Sequence, residues 1–504
     1  MSRRVLTKNA LSGIVQVLMN AVVTFELYHF LNRHLTVSQI GTWSVVLASA
    51  ATGRIIDLGL GGGVVKFVAQ HMGANARPQA AATIQMALLG MAILFSVASI
   101  ALFPLLYSGL SVVITDPNSL VAARGLLPYA LCSLIVGALA GVTLSALDGC
   151  QRMDLRAVVG VFGSVVQLIS AYFLVPKYDL KGLAVGQVVQ SAVVFVSAAL
   201  FLLRLIGSDL FNFSAWRKSG FKELIRYGSG FQAAAFGQLL FEPAVKAIMA
   251  RYAGLEFTGY YEMASRLILQ VRSLLVSGYQ SLVPYVASTS KSDAELRKIY
   301  SSSYAILFYF SAAVFGAAGL ILPFVLQFWI GRFAPEFLKI GDLCLIAWGL
   351  NTLNSPAYYI FLGIGELRWP VIAHSAIGIS ATLLGILFGR FFGGFGVLIA
   401  VAFVLVFGSH IVSYAFHVRQ HIPLSELFPR ESRSLIACAI VGSIAVLATT
   451  LHFGTSVELV PISICISFLL VLVSLSLINP NLRVLINLVN ALRMKAGQNP
   501  VNLS

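Results

Sequence analysis

Charge is what this chain has least of: 11% of its 504 residues are Asp, Glu, Lys or Arg, against about 25% in ordinary soluble domains. With 58% hydrophobic residues and a mean hydropathy of +0.88, a soluble globular protein is excluded and a polytopic membrane protein is indicated. Cysteine is scarce as well. The five (Cys132, Cys150, Cys344, Cys438 and Cys465) are scattered through mostly apolar runs without metal-type spacing, which argues against a disulfide framework and a metal site. There is no phosphate-cradling glycine loop ending in Lys-Ser or Lys-Thr, and no long extramembrane segment to house a catalytic domain, so no enzymatic activity and no organic cofactor are expected. A net charge of +15 would suggest nucleic acid in a soluble chain; here the basic residues read as topology signals, and no nucleic-acid partner is expected.

What the chain has in abundance is apolar runs long enough to cross a hydrocarbon core about 30 Å thick. They fall near 9–31, 40–60, 80–107, 122–147, 155–176, 180–206, 223–250, 257–285, 299–323, 335–362, 369–390, 394–416, 434–453 and 458–478, which predicts an all-α bundle of about fourteen transmembrane helices. Ser2-Arg3-Arg4 before the first run looks like a twin-arginine export signal, but no cleavage region follows it, so a retained first helix with a basic flank is expected. Placing the N-terminus inside puts roughly 21 of the 34 Lys and Arg in cytoplasmic segments and roughly 6 outside, which predicts both termini in the cytoplasm.

An internal repeat divides the chain. At a displacement of 218, Arg33 falls on Arg251, Gly41 on Gly259, Trp43 on Tyr261 and Arg54 on Arg272; at 214, Gly182-Leu183-Ala184-Val185 falls on Gly396-Val397-Leu398-Ile399. Both copies begin at the cytoplasmic side, so the symmetry axis runs along the membrane normal. The expected organisation is a first lobe over 1–206, a basic linker over 207–222, a second lobe over 223–417, two further helices within 418–478 and a cytoplasmic tail over 479–504.

Charge inside a span is expensive and faces a bundle interior or a water-filled cavity. The stretch 40–72 carries Arg54, Asp57, a glycine run and then Lys66. Arg54 and Asp57 are three apart, which on a continuous helix puts them on one face. The glycines after them weaken the helix or admit close packing. Arg54 and Arg272, equivalent in the repeat, are expected at matching depth. Two guanidiniums there suit an anion such as a diphosphate, because the planar fork matches phosphate oxygens and stays charged at low dielectric. The alternative is local pairing, Arg54 with Asp57 and Arg272 with neighbouring acceptors. Glu242, Lys246, Glu262 and Arg266 form i,i+4 pairs on an antiparallel helix pair; they read as an ion-pair cluster, a substrate contact, or a carboxylate site for a coupling proton or sodium ion. Gln16 and Asn20 continue a polar stripe on the first helix and Gln270 one on the eighth, either lining a cavity or packing on a neighbour. Gln167, Gln187, Gln190, Asn351 and Asn354 offer hydrogen bonds to sugar hydroxyls, or simply join helices. His374 and His410 read as packing residues.

Arg33-His34-Leu35 through Ile40-Gly41-Thr42-Trp43, followed by Ile56-Asp57-Leu58-Gly59-Leu60-Gly61 and a basic residue, resembles the polysaccharide transporters, or Wzx-type flippases, of the multidrug/oligosaccharidyl-lipid/polysaccharide superfamily. The resemblance implies two six-helix lobes around a central cavity, two further C-terminal helices and alternating access in a bacterial inner membrane. It implies as cargo an undecaprenyl-diphosphate-linked oligosaccharide, with Arg54, Arg272, Arg266 and Lys66 as diphosphate-binding candidates, and a polysaccharide polymerase and chain-length regulator as partners beside the membrane lipids. Asp57, Glu242 and Glu262 reduce the positive field, and so leave open a cation-coupled multidrug exporter of the same superfamily. A membrane polymerase is the third reading, disfavoured by short outer loops.

Overall fold

The computed structural model describes residues 3–56, 59–207, 218–287, 292–330 and 334–427. Asp57, the linker residues 208–217 and the expected final helices and tail lie outside the described residues. Within them the chain is helical, without a strand. The helices are α1 (Arg3–His34), α2 (Val37–Ala51), α3 (Leu60–Gly73), α4 (Arg77–Val113), α5 (Pro117–Gly149), α6 (Met153–Ile206), α7 (Lys218–Ser277), α8 (Leu282–Ala287), α9 (Asp293–Ile330), α10 (Pro335–Thr352), α11 (Ser355–Gly363) and α12 (Arg368–Arg419).

Three of these are each two helices joined where the chain reverses at one residue of left-handed φ: Asp179 in α6 (φ 49°, ψ −130°), Gly254 in α7 (φ 84°, ψ 174°) and Gly393 in α12 (φ 61°, ψ −148°). Those kinks fall at the gaps between apolar runs read from the sequence. α2 starts at a capping box: the Thr36 hydroxyl accepts from the Gln39 amide, and Thr36 N–H donates to Gln39 Oε1 at 2.8 Å. Two runs read as single spans are broken. The run 335–362 divides into α10 and α11. The run 40–60 ends as α-helix at Ala51, passes through a 3₁₀ turn (Thr52–Ile56), and resumes as α3 behind Gly59, whose φ of 65° no side-chain-bearing residue adopts readily. Arg54 therefore sits on a tight turn, not on a continuous helix. Gly59 marks the end of the break, while the glycines at 61–63 fall in the first turn of α3.

The duplication read from the sequence is present as geometry. A Cβ added at Gly149 would lie 2.8 Å from Val68 Cβ and 3.0 Å from the Val65 carbonyl oxygen; one added at Gly363 would lie 2.8 Å from Val286 Cβ and 3.1 Å from the Val283 oxygen. Gly182 packs on the Leu174 carbonyl and Gly396 on the Phe388 carbonyl, each a few residues from its kink at Asp179 or Gly393. Two copies of one helical plan thus make the same backbone contacts. One large apolar core, from Leu27 to Leu405, spans both copies.

Candidate functional site

The two copies touch along α2 and the second half of α7, and the contact is reciprocal. Gly41 lies against the Leu255 carbonyl, while Gly259 lies against the Val37 carbonyl; Val37 and Leu255 are themselves equivalent in the repeat, as are Gly41 and Gly259. Contacts of this crossed kind arise only beside a two-fold axis. Glycine is required at both positions, since any Cβ would overlap a backbone carbonyl.

Next to this crossing the quartet expected from i,i+4 spacing is assembled. Lys246 Nζ lies 2.6 Å from Glu242 Oε1 and 2.7 Å from Glu262 Oε2. Arg266 Nε donates to Glu262 Oε1 at 2.8 Å, and its Nη2 lies 3.7 Å from Glu242 Oε1. Lys246 and Glu262 are 2% and 3% exposed, so this is a desolvated pair whose charges are compensated on the same helix hairpin. Arg266 is committed to these carboxylates rather than presented alone to an anion.

Two hydroxyls from the first copy complete the cluster. Ser44 Oγ donates to Glu262 Oε2 at 2.8 Å and Tyr28 OH to Glu262 Oε1 at 3.3 Å. Asn32 donates to the Met263 sulfur at 3.3 Å. Around them, Phe25 packs on Trp329 with ring centroids 4.9 Å apart and His29 stacks on Phe328 at 4.6 Å, joining α1 to α9. Sequence reasoning missed Tyr28 and Ser44. The signal was available: Ser44 and Glu262 are 218 apart, the repeat displacement itself.

Arg54 and Arg272 lie thirteen residues beyond Gly41 and Gly259; on the continuous second half of α7 this places Arg272 about 20 Å from the crossing, whereas Arg54 lies beyond the end of α2 on the 3₁₀ turn. Arg272 is half-buried. Its Nε donates to Asn351 Oδ1 at 3.2 Å, and its guanidinium carbon lies 5.3 Å from the Trp348 ring centre. Tyr358, Tyr359 and His374 surround it. No carboxylate pairs with it among the described residues. Arg54 is exposed on the 3₁₀ turn, and that turn packs against α7. Lys66 is exposed on α3 beside Phe67, 5.2 Å from its ring centre, and Gln270 is half-buried on α7. His410 bonds the Val406 carbonyl at 2.8 Å, a packing role, whereas His374 stands edge-on to Tyr358 at 5.6 Å.

In the first lobe, Gln16 and Asn20 of α1 meet polar residues of α6. Ser164 Oγ lies 3.1 Å from Asn20 Oδ1, and the Gln16 amide covers Gly160. Gln167 donates to Gln187 and Gln187 to Gln190, both at 2.8 Å. The two polar clusters thus differ in chemistry: neutral amides and a hydroxyl between α1 and α6 of the first lobe, ion pairs on α7 of the second. Among the described residues no group of His, Cys, Asp and Glu is arranged to hold a metal ion.

Residues 10–173 match the MatE family model. No curated protein matches the chain by sequence. Among solved structures, an inward-facing multidrug resistance MATE family transporter of the MOP superfamily superposes with a TM-score of 0.67 at 15% identity, covering 82% of this chain and 98% of that one. The lipid II flippase MurJ in an inward closed conformation superposes with a TM-score of 0.66 at 15% identity, covering 95% of this chain and 98% of that one. A MOP superfamily transporter from Pyrococcus furiosus, described as having a binding pocket of reversed polarity, gives 0.58 at 14% identity over 83% of this chain and 95% of that one. The fold is therefore that of the MATE and MurJ transporters.

Proposed function

We propose that the protein is a membrane transporter of the MOP superfamily that carries a lipid-linked oligosaccharide, joined through a diphosphate to a polyprenyl chain such as undecaprenyl, from the inner to the outer leaflet of a bacterial inner membrane by alternating access. The single observation that carries this reading is Arg272. It is a guanidinium within a helix that crosses the membrane, positioned by Asn351 and Trp348 and lacking a carboxylate partner among the described residues. A cation so placed needs an anionic ligand, and a headgroup diphosphate attached to an apolar tail supplies one without leaving the bilayer. Arg54, at the equivalent position, is the second phosphate contact in this reading. The likeness to the lipid II flippase over 95% of the chain, against 82% for the MATE transporter, is in keeping with the two apolar spans predicted at 434–453 and 458–478.

Moving an anion outward is favoured by an inside-negative potential, by about 2.3 kcal/mol per charge per 100 mV. A coupling proton or sodium ion is therefore an addition to this scheme rather than its foundation. With the N-terminus inside, as this reading has it, the Gly41–Gly259 crossing falls at the outer end of the bundle, where the two lobes meet. Polysaccharide polymerase and chain-length regulator are the partners this activity would serve.

The family match over residues 10–173 favours a second reading, export of organic cations. It is weakened by the quartet, in which each carboxylate already pairs with lysine or arginine. The test is leaflet exchange of a fluorescent polyprenyl-diphosphate oligosaccharide in proteoliposomes. Exchange that is abolished in Arg272→Ala, with the protein still folded, is the expected result. Absence of exchange together with extrusion of an organic cation would replace this reading by the second.

A further inference from the structure

The neutral polar residues of the first lobe take no part in the reading above, yet they are gathered in one place. Gln16 and Asn20 come from α1, Ser164 and Gln167 from the first half of α6, and Gln187 and Gln190 from the second half. On each segment they lie away from the exposed aliphatic face: Val15, Leu18 and Val22 on α1, Val158, Phe162 and Ile169 before the kink, Val189, Val196 and Leu200 after it. Turned from the exposed face, residues of a packed lobe should be buried. All six are instead only half-buried, so accessible space lies over them.

Their hydrogen bonds run in one direction and leave capacity unused. Gln167 Nε2 donates to Gln187 Oε1, and Gln187 Nε2 donates to Gln190 Oε1. The chain ends in a carbonyl acceptor at Gln167 and an amide donor at Gln190, and Asn20 keeps its own amide donors after its carbonyl has met Ser164. None of these end groups has a protein partner among the described residues. Residues that serve only to join helices would exhaust their partners across the joint. Donors and acceptors side by side, with no ionic group among the six, match groups that both donate and accept. Sugar hydroxyls do so; phosphates only accept and ammonium groups only donate.

We propose that this amide cluster is a glycan-binding subsite, taking the hydroxyls of the cargo's sugars while Arg272 takes its phosphates. This inference rests on the lipid-linked oligosaccharide reading, and it assigns the glycan and the phosphates of that headgroup to different side-chain clusters. Glycan and anion recognition are then separable by mutation.

The test uses the full-length protein in nanodiscs and three probes: a prenyl diphosphate, the same lipid bearing a disaccharide, and a neutral alkyl disaccharide. The disaccharide should tighten binding of the prenyl diphosphate about tenfold, each well-placed hydrogen bond being of that order. Gln187→Leu should erase the increment while leaving affinity for the bare diphosphate within about twofold, and Arg272→Ala should weaken both diphosphate probes and spare the neutral one. Gln190→Leu, at the end of the chain, gives the same reading if Gln187→Leu does not fold. A disaccharide that adds nothing to the intact protein overturns the subsite, as does an increment that survives in either variant. If the bare diphosphate fails to bind, the anion reading falls by itself, and loss of the neutral disaccharide in Gln187→Leu still decides the subsite.

Discussion

Ser44 donates a hydrogen bond to Glu262, and the two residues are each other's counterparts in the duplicated fold. The equivalence extends to the whole cluster: Glu242, Lys246, Glu262 and Arg266 correspond to Thr24, Tyr28, Ser44 and Ala48. One copy carries four charges, the other carries none. Within this cluster, separating the lobes breaks no ion pair, because the four charged residues all stay on α7; the hydroxyl contacts of Ser44 and Tyr28 and the Asn32–Met263 bond part.

Such a seam is sensitive to those hydroxyls. A hydrogen bond to a charged group contributes about 1.5–3 kcal/mol. Ser44→Ala, and more so Ser44→Ala with Tyr28→Phe, is expected to shift the lobes towards separation at this end by about tenfold or more. Distance distributions between spin labels at the outer ends of α1 and α9 would report it; unchanged distributions would remove the latch role.

The quartet itself is a folding element. Removing one partner of a buried ion pair costs about 3–5 kcal/mol, since the other charge is left uncompensated. Lys246→Met and Glu262→Gln should each lower the thermal unfolding midpoint in detergent. The double variant should lose less than the two losses added, because neither leaves the other's charge stranded.

The crossing at Gly41 and Gly259 admits no side chain. Gly41→Ala and Gly259→Ala each drive a methyl group into a backbone carbonyl, and overpacking of this kind costs about 1–3 kcal/mol or more. Both variants should show reduced folded yield on size exclusion, and to a similar degree because the contacts are reciprocal. Gly73→Ala, in a position where an added Cβ meets nothing within 4 Å, serves as the control.

Asp179 holds a backbone conformation that its counterpart Gly393 holds as a glycine. A residue with a Cβ is strained there by about 1–3 kcal/mol. Asp179→Gly is expected to raise the unfolding midpoint and Gly393→Ala to lower it. Equal midpoints for Asp179→Gly and the parent protein would show that this conformation carries no measurable strain.

The helical architecture was legible from apolar run lengths alone, and the kinks fell where those runs were separated by only a few residues. The break at Thr52–Ile56 was not legible, because hydropathy is blind to helix continuity; the glycines at 59 and 61–63 were the local signal, and they were read as a weakening rather than an end. For the site, i,i+4 spacing was enough to assemble Glu242, Lys246, Glu262 and Arg266. Spacing along one helix pair could not show what the other copy contributes, so Tyr28 and Ser44 emerged only in three dimensions. Nor could it show that Arg266 is spoken for by carboxylates, while Arg272 has among the described residues the Asn351 amide, the Trp348 ring and nearby tyrosines but no carboxylate partner. They lie on one helix; their neighbours differ.

The reciprocal meeting of Gly41 with Leu255 and of Gly259 with Val37 is made of main chain on both sides. A bearing built this way has no rotamers to lose or reset as the lobes move. In the alternating-access scheme proposed above, such a bearing serves as a fulcrum on the same two carbonyls, and the rocking is tuned by the groups a turn away.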